Sequence, residues 1–150
     1  MHRSPFCRLT LVAALALFFG AAAAVPASAA DVVVNPQSGG DQISRSLLRG
    51  IFGMRVRAWP DGTPVRVFVL EDNDPAHVEF CKSVLRMYPY QLRQNWDRLV
   101  YSGTGQPPIA VASEQEMLRL VAQTPGAIGY VNKLNSSVQP DKLKVLDVHE

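Results

Sequence analysis

Three groups of residues carry enough charge or nucleophilicity to do chemistry. Glu71-Asp72-Asn73-Asp74-Pro75 crowds three carboxylates and an amide into one short stretch. Arg45, Arg49, Arg55, Arg57 and Arg66 follow one another with only Asp61 among them. His77, Cys81 and His149 are the remaining candidates beyond the first 30 positions. The carboxylates could hold a hard cation through oxygen, but they lack the spacing of a calcium loop, and so short a turn favours capping and solvation. Guanidinium groups match carboxylate or phosphate. The five arginines therefore offer an anion-facing or partner-facing patch, against the plainer reading of a solvated charged face, or one that pairs with the acidic stretch. His77 and His149 have no companion at metal-ligand spacing and are expected at the surface. Cys81 lies among apolar residues and is expected to be a buried thiol. No nucleophile–base pair, Gly-x-Ser-x-Gly, phosphate loop or dinucleotide fingerprint is present. The expectation is a protein that is not an enzyme and needs neither metal nor cofactor.

The elements that must position these groups follow from periodicity. Asp31-Val32-Val33-Val34-Asn35 is a β-branched run stopped by Asn35-Pro36 and reads as a buried strand. Gln37 to Gly40 reads as loop. Ser44 can cap a helix with Leu47, Leu48, Ile51 and Phe52 on one face, ended by Gly53. Pro60-Asp61-Gly62 marks a turn. Val65 to Leu70 reads as the second strand.

Asp74-Pro75 is an N-cap followed by proline at the first helical position. Phe80, Cys81, Val84, Leu85 and Tyr88 continue from it as an apolar stripe at helical spacing. Pro89 opens another helix, with Leu92, Trp96, Leu99 and Val100 on one face. Tyr101 to Pro108 reads as loop, Ser102-Gly103-Thr104 included. Ser113-Glu114-Gln115-Glu116 is a capping box for a helix carrying Met117, Leu118 and Val121. Ala127 to Val131 and Lys142 to Val148 read as strands, with Asn132 to Asp141 a polar loop between them. Strands alternating with helices predict an α/β layered fold, a small mixed sheet flanked by helices. Strand order is not readable. Trp96 and Tyr88 sit on core stripes, and Trp59 beside its turn is expected to close over the core. Tyr90 and Tyr130 are further candidates for lining a pocket.

The N-terminus has the order of a secretory signal. Arg3 and Arg8 precede the apolar run Leu11 to Ala24, and Ala27-Ser28-Ala29 fits a small-x-small cleavage site. The run is about 14 residues, short of the roughly 20 of a spanning helix. The expectation is a signal peptide over 1–30, cut after Ala29 or Ala30, and one domain over 31–150. That domain would be periplasmic or secreted, with no stable membrane insertion. Removing Arg3 and Arg8 leaves thirteen cations against the thirteen acids of the chain. A domain without net charge is not a general nucleic-acid binder. Cys7 leaves with the signal, so Cys81 has no disulfide partner.

Several stretches together resemble one family. Ile51-Phe52-Gly53, Trp59-Pro60-Asp61-Gly62-Thr63-Pro64 and Pro125-Gly126-Ala127-Ile128-Gly129-Tyr130 are similar, in this order and spacing, to motifs of phosphate-type periplasmic substrate-binding proteins of ABC transporters. Val32 to Asn35 resembles the strand that crosses between their two lobes. The chain is long enough for one lobe. The resemblance implies a single lobe of a type 2 periplasmic-binding-protein-like fold, one that binds and does not catalyse.

Those proteins hold phosphate at a Ser-Gly-Thr turn after the second strand. Here that turn is the acidic stretch, and Pro75 removes one N–H donor. Three carboxylates repel the dianion that a helix dipole of ~0.5 charge would attract, so phosphate binding is not carried over. Ligands of open α/β sheets sit beyond the C-terminal strand ends. By that rule Asn35, Ser38, Asp72, Asn73 and Asp74 are the candidate ligand residues. The partner would be a small anion. The alternative is an envelope adaptor or sensory domain that meets another protein through the arginine patch.

Overall fold

The computed structural model describes residues 29–134 and 142–150. The proposed leader, up to Ser28, lies outside the described residues, as does most of the polar loop before the last strand. One six-stranded sheet organises the rest, in the order β2-β6-β1-β5-β3-β4. Its strands are β1 (Asp31–Val34), β2 (Gln42–Ser44), β3 (Arg66–Val69), β4 (Ile109–Ala110), β5 (Ala127–Val131) and β6 (Lys144–His149). The helices are α1 (Arg45–Phe52), α2 (Pro75–Glu79), α3 (Pro89–Tyr101) and α4 (Glu114–Gln123), with a π-helical turn, Phe80–Leu85, continuing α2.

Strand direction decides where everything else sits. β1 pairs antiparallel with both β5 and β6, Val33 facing Gly129 on one side and Val145 on the other. β5 pairs parallel with β3, β3 with β4, and β6 with β2. β1 therefore runs against the other five strands. It is central and buried, which suits its unbroken valines.

Helices cover both faces. Gly129 faces α4: a Cβ there would come within 2.7 Å of Met117 Sδ. Its neighbour Tyr130 points to the opposite face, where its ring stacks on Phe80 at 4.0 Å and meets Phe52 at 5.9 Å. Trp59 closes over the core as expected, buried with its indole N–H donating to Gly126 O at 3.0 Å.

The caps form where the sequence placed them. Ser44 Oγ accepts from Leu47 N, Asp74 Oδ1 from Ala76 N and Ser113 Oγ from Glu116 N. Three expectations change. Two short strands, β2 and β4, were not anticipated, being too brief to show a period. The stripe through Tyr88 stops early: the π-helix ends at Arg86 in the left-handed region, φ 51°, so Tyr88 opens α3 instead and is exposed. His77 is fully buried rather than at the surface.

Candidate ligand cleft

The acidic stretch sits at the C-terminal end of β3. Leu70 is buried, and the chain then turns, Asp74 N donating to Glu71 O at 3.0 Å. Asp74 spends one carboxylate oxygen capping α2. Asp72 instead reaches α3. Its two oxygens accept from Arg93 Nε at 2.8 Å and Nη2 at 2.7 Å, the two-pronged geometry in which guanidinium pairs best. The Arg93 guanidinium also lies 4.9 Å over the Trp96 ring, and Trp96 is fixed from below by its indole N–H on Phe52 O, 2.7 Å. Arg93 and Trp96 are three apart on one helix, hence on one face.

A cleft of about 320 Å³ opens between these groups, with Asn73 on its rim and Pro108 and Ala110 as the far wall. The Arg93 hydrogen bonds hold the Asp72 carboxyl below its ordinary pKa, and raise that of Arg93 in return. Among the described residues the cleft therefore sets one guanidinium, that of Arg93, beside the carboxylates of Glu71 and Asp72.

Beneath it runs a buried hydrogen-bond chain that the sequence did not show. Leu70 N donates to Tyr130 Oη at 2.9 Å. Tyr130 Oη is bonded to His77 Nδ1, and His77 Nε2 lies 3.5 Å from Cys81 Sγ. The phenolic proton needs an acceptor, which makes Nδ1 the bare nitrogen and puts the imidazole proton on Nε2. Desolvation lowers the His77 pKa and lifts that of Tyr130. It pushes the Cys81 thiol up to about 12. A nucleophilic cysteine needs the opposite, a depressed pKa and exposure. This cysteine–histidine pair is structural.

Of the five candidate ligand residues, the structure brings together Asp72, Asn73 and Asp74. Asn35 and Ser38 follow the reversed strand β1 and so lie at the opposite sheet edge. Both are buried and engaged internally. The Asn35 amide donates to Val121 O and Ala122 O and its oxygen accepts from Gln37 N, while Ser38 Oγ accepts from Gly126 N at 2.8 Å.

The arginines do not form one patch either. Arg45 and Arg49 converge on the end of the π-helix, donating to Val84 O at 2.9 Å and Leu85 O at 2.6 Å. Arg57 donates to Thr104 O. Arg55 is exposed in the connection after α1, and Arg66 is exposed at the N-terminal end of β3. Arg93, absent from the sequence-based candidates, is the cation of the cleft. Its spacing to Trp96 was the available signal.

No protein-family model and no curated protein matches the chain. Solved structures do. An ABC-type phosphate transport receptor from Vibrio cholerae superposes with a TM-score of 0.55 at 17% identity, over 81% of this chain and 48% of that one. A possible phosphate binding protein from Planctomyces limnophilus gives 0.58 at 17% identity, over 82% and 43%. PstS from Borrelia burgdorferi gives 0.53 at 14% identity, over 80% and 47%. The chain spans about half the length of the solved structures it matches. With its mixed sheet, its single reversed strand and helices on both faces, this chain has the α/β fold of one lobe of the phosphate-type periplasmic substrate-binding proteins.

Proposed function

We propose that this protein is an exported, non-catalytic binding module that takes a small organic ligand in the cleft beyond β3, and that free phosphate is not that ligand. The observation that carries this reading is Arg93, pre-positioned over Trp96 and clasped by Asp72 at the rim of an open cleft. A carboxylate-bearing ligand can exchange with Asp72 for the guanidinium fork. Inorganic phosphate brings up to two negative charges to a cation already facing Glu71 and Asp72, and among the described residues no hydroxyl side chain lines the cleft to share them. The fold neighbours from Vibrio cholerae and Planctomyces limnophilus are named a phosphate transport receptor and a possible phosphate binding protein, which supports binding as the role. The acidic turn is where this chain departs from the motif of the family it resembles. An open half-cleft covers a ligand poorly, so affinity rises if a second chain closes it.

Calorimetric titration with phosphate, sulfate and a series of small hydroxy- and amino-carboxylates tests this. A carboxylate should release heat and lose binding in Arg93→Ala. Sub-millimolar phosphate binding that vanishes in the same variant would overturn the reading. Export rests on the leader-like order of residues 1–30. N-terminal sequencing of the secreted protein should begin at Ala30 or Asp31.

A further inference from the structure

A second surface stands apart from the cleft, where the π-helix gives way to α3. Four observations meet there. The π-helix ends in a left-handed non-glycine residue, Arg86, a conformation held only where the surroundings impose it. Short π-helical segments also concentrate at functional sites. The next residues expose two tyrosines, Tyr88 at 55% and Tyr90 at 60%. Their rings stack on each other, 5.7 Å apart and 17° from parallel, so neither fills the core.

These rings line a groove of about 620 Å³ together with Lys82 and Arg86. A neighbouring groove of about 440 Å³ shares Arg86 and adds Arg49, Gln94 and Asn95. Among the described residues no carboxylate lines either. Finally, one carboxylate of the chain itself is already seated at the margin. Glu150, at the end of extended β6, places Oε1 2.9 Å from Arg86 Nη2 and pairs with Arg45 as well.

We propose that this face is a docking groove for an extended, acidic segment of a partner protein. Aromatic-lined grooves receive extended peptides, whose stiff backbone loses little entropy on binding, and arginine clusters receive acidic ones. The Gln94 and Asn95 amides can bond the peptide groups that an extended chain leaves unpaired. Charge complementarity sets the sign, since Lys82, Arg86 and Arg49 line the two grooves and, among the described residues, the acid they meet is Glu150 at the margin. Glu150 shows what fits: a glutamate on an extended chain. Arg86 and Glu150 are both well exposed, so their pair is weak and exchangeable.

Fluorescence polarisation of the purified protein with a labelled decapeptide of alternating glutamate and proline tests this. A lysine–proline decapeptide and polygalacturonate serve as comparators. The glutamate–proline peptide should bind and the lysine–proline peptide should not. Arg86→Glu and Lys82→Glu should each weaken binding ~10-fold, and Tyr88→Ala with Tyr90→Ala by a similar factor. Glu150→Gln should tighten it by freeing Arg86. All these side chains are exposed, and an unchanged melting temperature confirms that the variants fold. The proposal is overturned by equal binding of both peptides or by none. Polygalacturonate binding through the same residues overturns it in favour of an acidic glycan. A dimer that Arg86→Glu dissolves in sedimentation overturns it in favour of a second copy of this chain.

Discussion

His77 shows how far one buried side chain can tie stability to pH. It packs beside Tyr130 of β5, Cys81 of the π-helix and Trp96 of α3, with Asp72, Asp74 and Arg93 as the charges that act on it. Its pKa is lowered, chiefly by desolvation. The unfolded chain therefore takes up a proton near pH 6.5 while the native one does not. Stability is full above that pH, and falls as pH drops from 6.5 until the native imidazole itself protonates. Denaturant titrations across pH 4–8 should show this slope, and His77→Phe should flatten it. The Asp72 contribution falls lower, because its pKa is depressed from 3.8, and is lost only as pH drops past that value. Tyr130→Phe leaves Leu70 N–H and His77 Nδ1 without their partner and should cost about 1–3 kcal/mol in the same titrations. Cys81, fully buried with its pKa near 12, should stay unreactive toward a disulfide reagent at pH 8 in the native protein and react fully once unfolded.

At the scale of elements, the Pro125 to Tyr130 segment is held by two glycines for two different reasons. Gly126 has φ 78°, and a Cβ there would fall 2.0 Å from Pro64 O. Gly129 lies flat in β5, where a Cβ would collide with Met117. Gly129→Ala must displace the buried Met117 side chain and crowd Val121, and should cost about 1–3 kcal/mol, read as a lower denaturation midpoint. Gly126→Ala adds backbone strain to its clash and should cost more. The π-helix depends on α1 for its end. Arg49 donates to both Leu85 O and Arg86 O, neutralising carbonyls that have no partner within the helix. Arg49→Ala should destabilise by about 1–2 kcal/mol and raise hydrogen exchange in Met87 to Tyr90 ahead of the rest.

For the whole molecule, topology separates what the sequence grouped. Because β1 alone is reversed, its C-terminal residues emerge at the edge opposite the cleft. Asn35 and Ser38 are consumed there in holding the ends of α4 and β5. One guanidinium beside two carboxylates also predicts a bulk property. Adding phosphate should leave the melting temperature where sodium chloride of equal ionic strength leaves it, whereas a ligand of the folded state must raise it. A phosphate-specific rise lost in Arg93→Ala would contradict the reading of the cleft.

Local chemistry was legible from the residues alone. The caps at Ser44, Asp74 and Ser113, the valine run of β1, the Trp59 lid and the acidic turn after β3 all depend on neighbours a few positions away, and the motif order pointed to the lobe. Strand direction, the two-residue β4 and the early end of the stripe at Leu85 depend on pairing between distant segments, which no local period records. The same holds for the cleft. Arg93 meets Asp72 across 21 positions, and Tyr130 meets His77 across 53. Residue types set which groups could act, but only the packed chain decided which of them meet, since a contact between remote side chains is fixed by the path of the backbone and not by the letters beside each one.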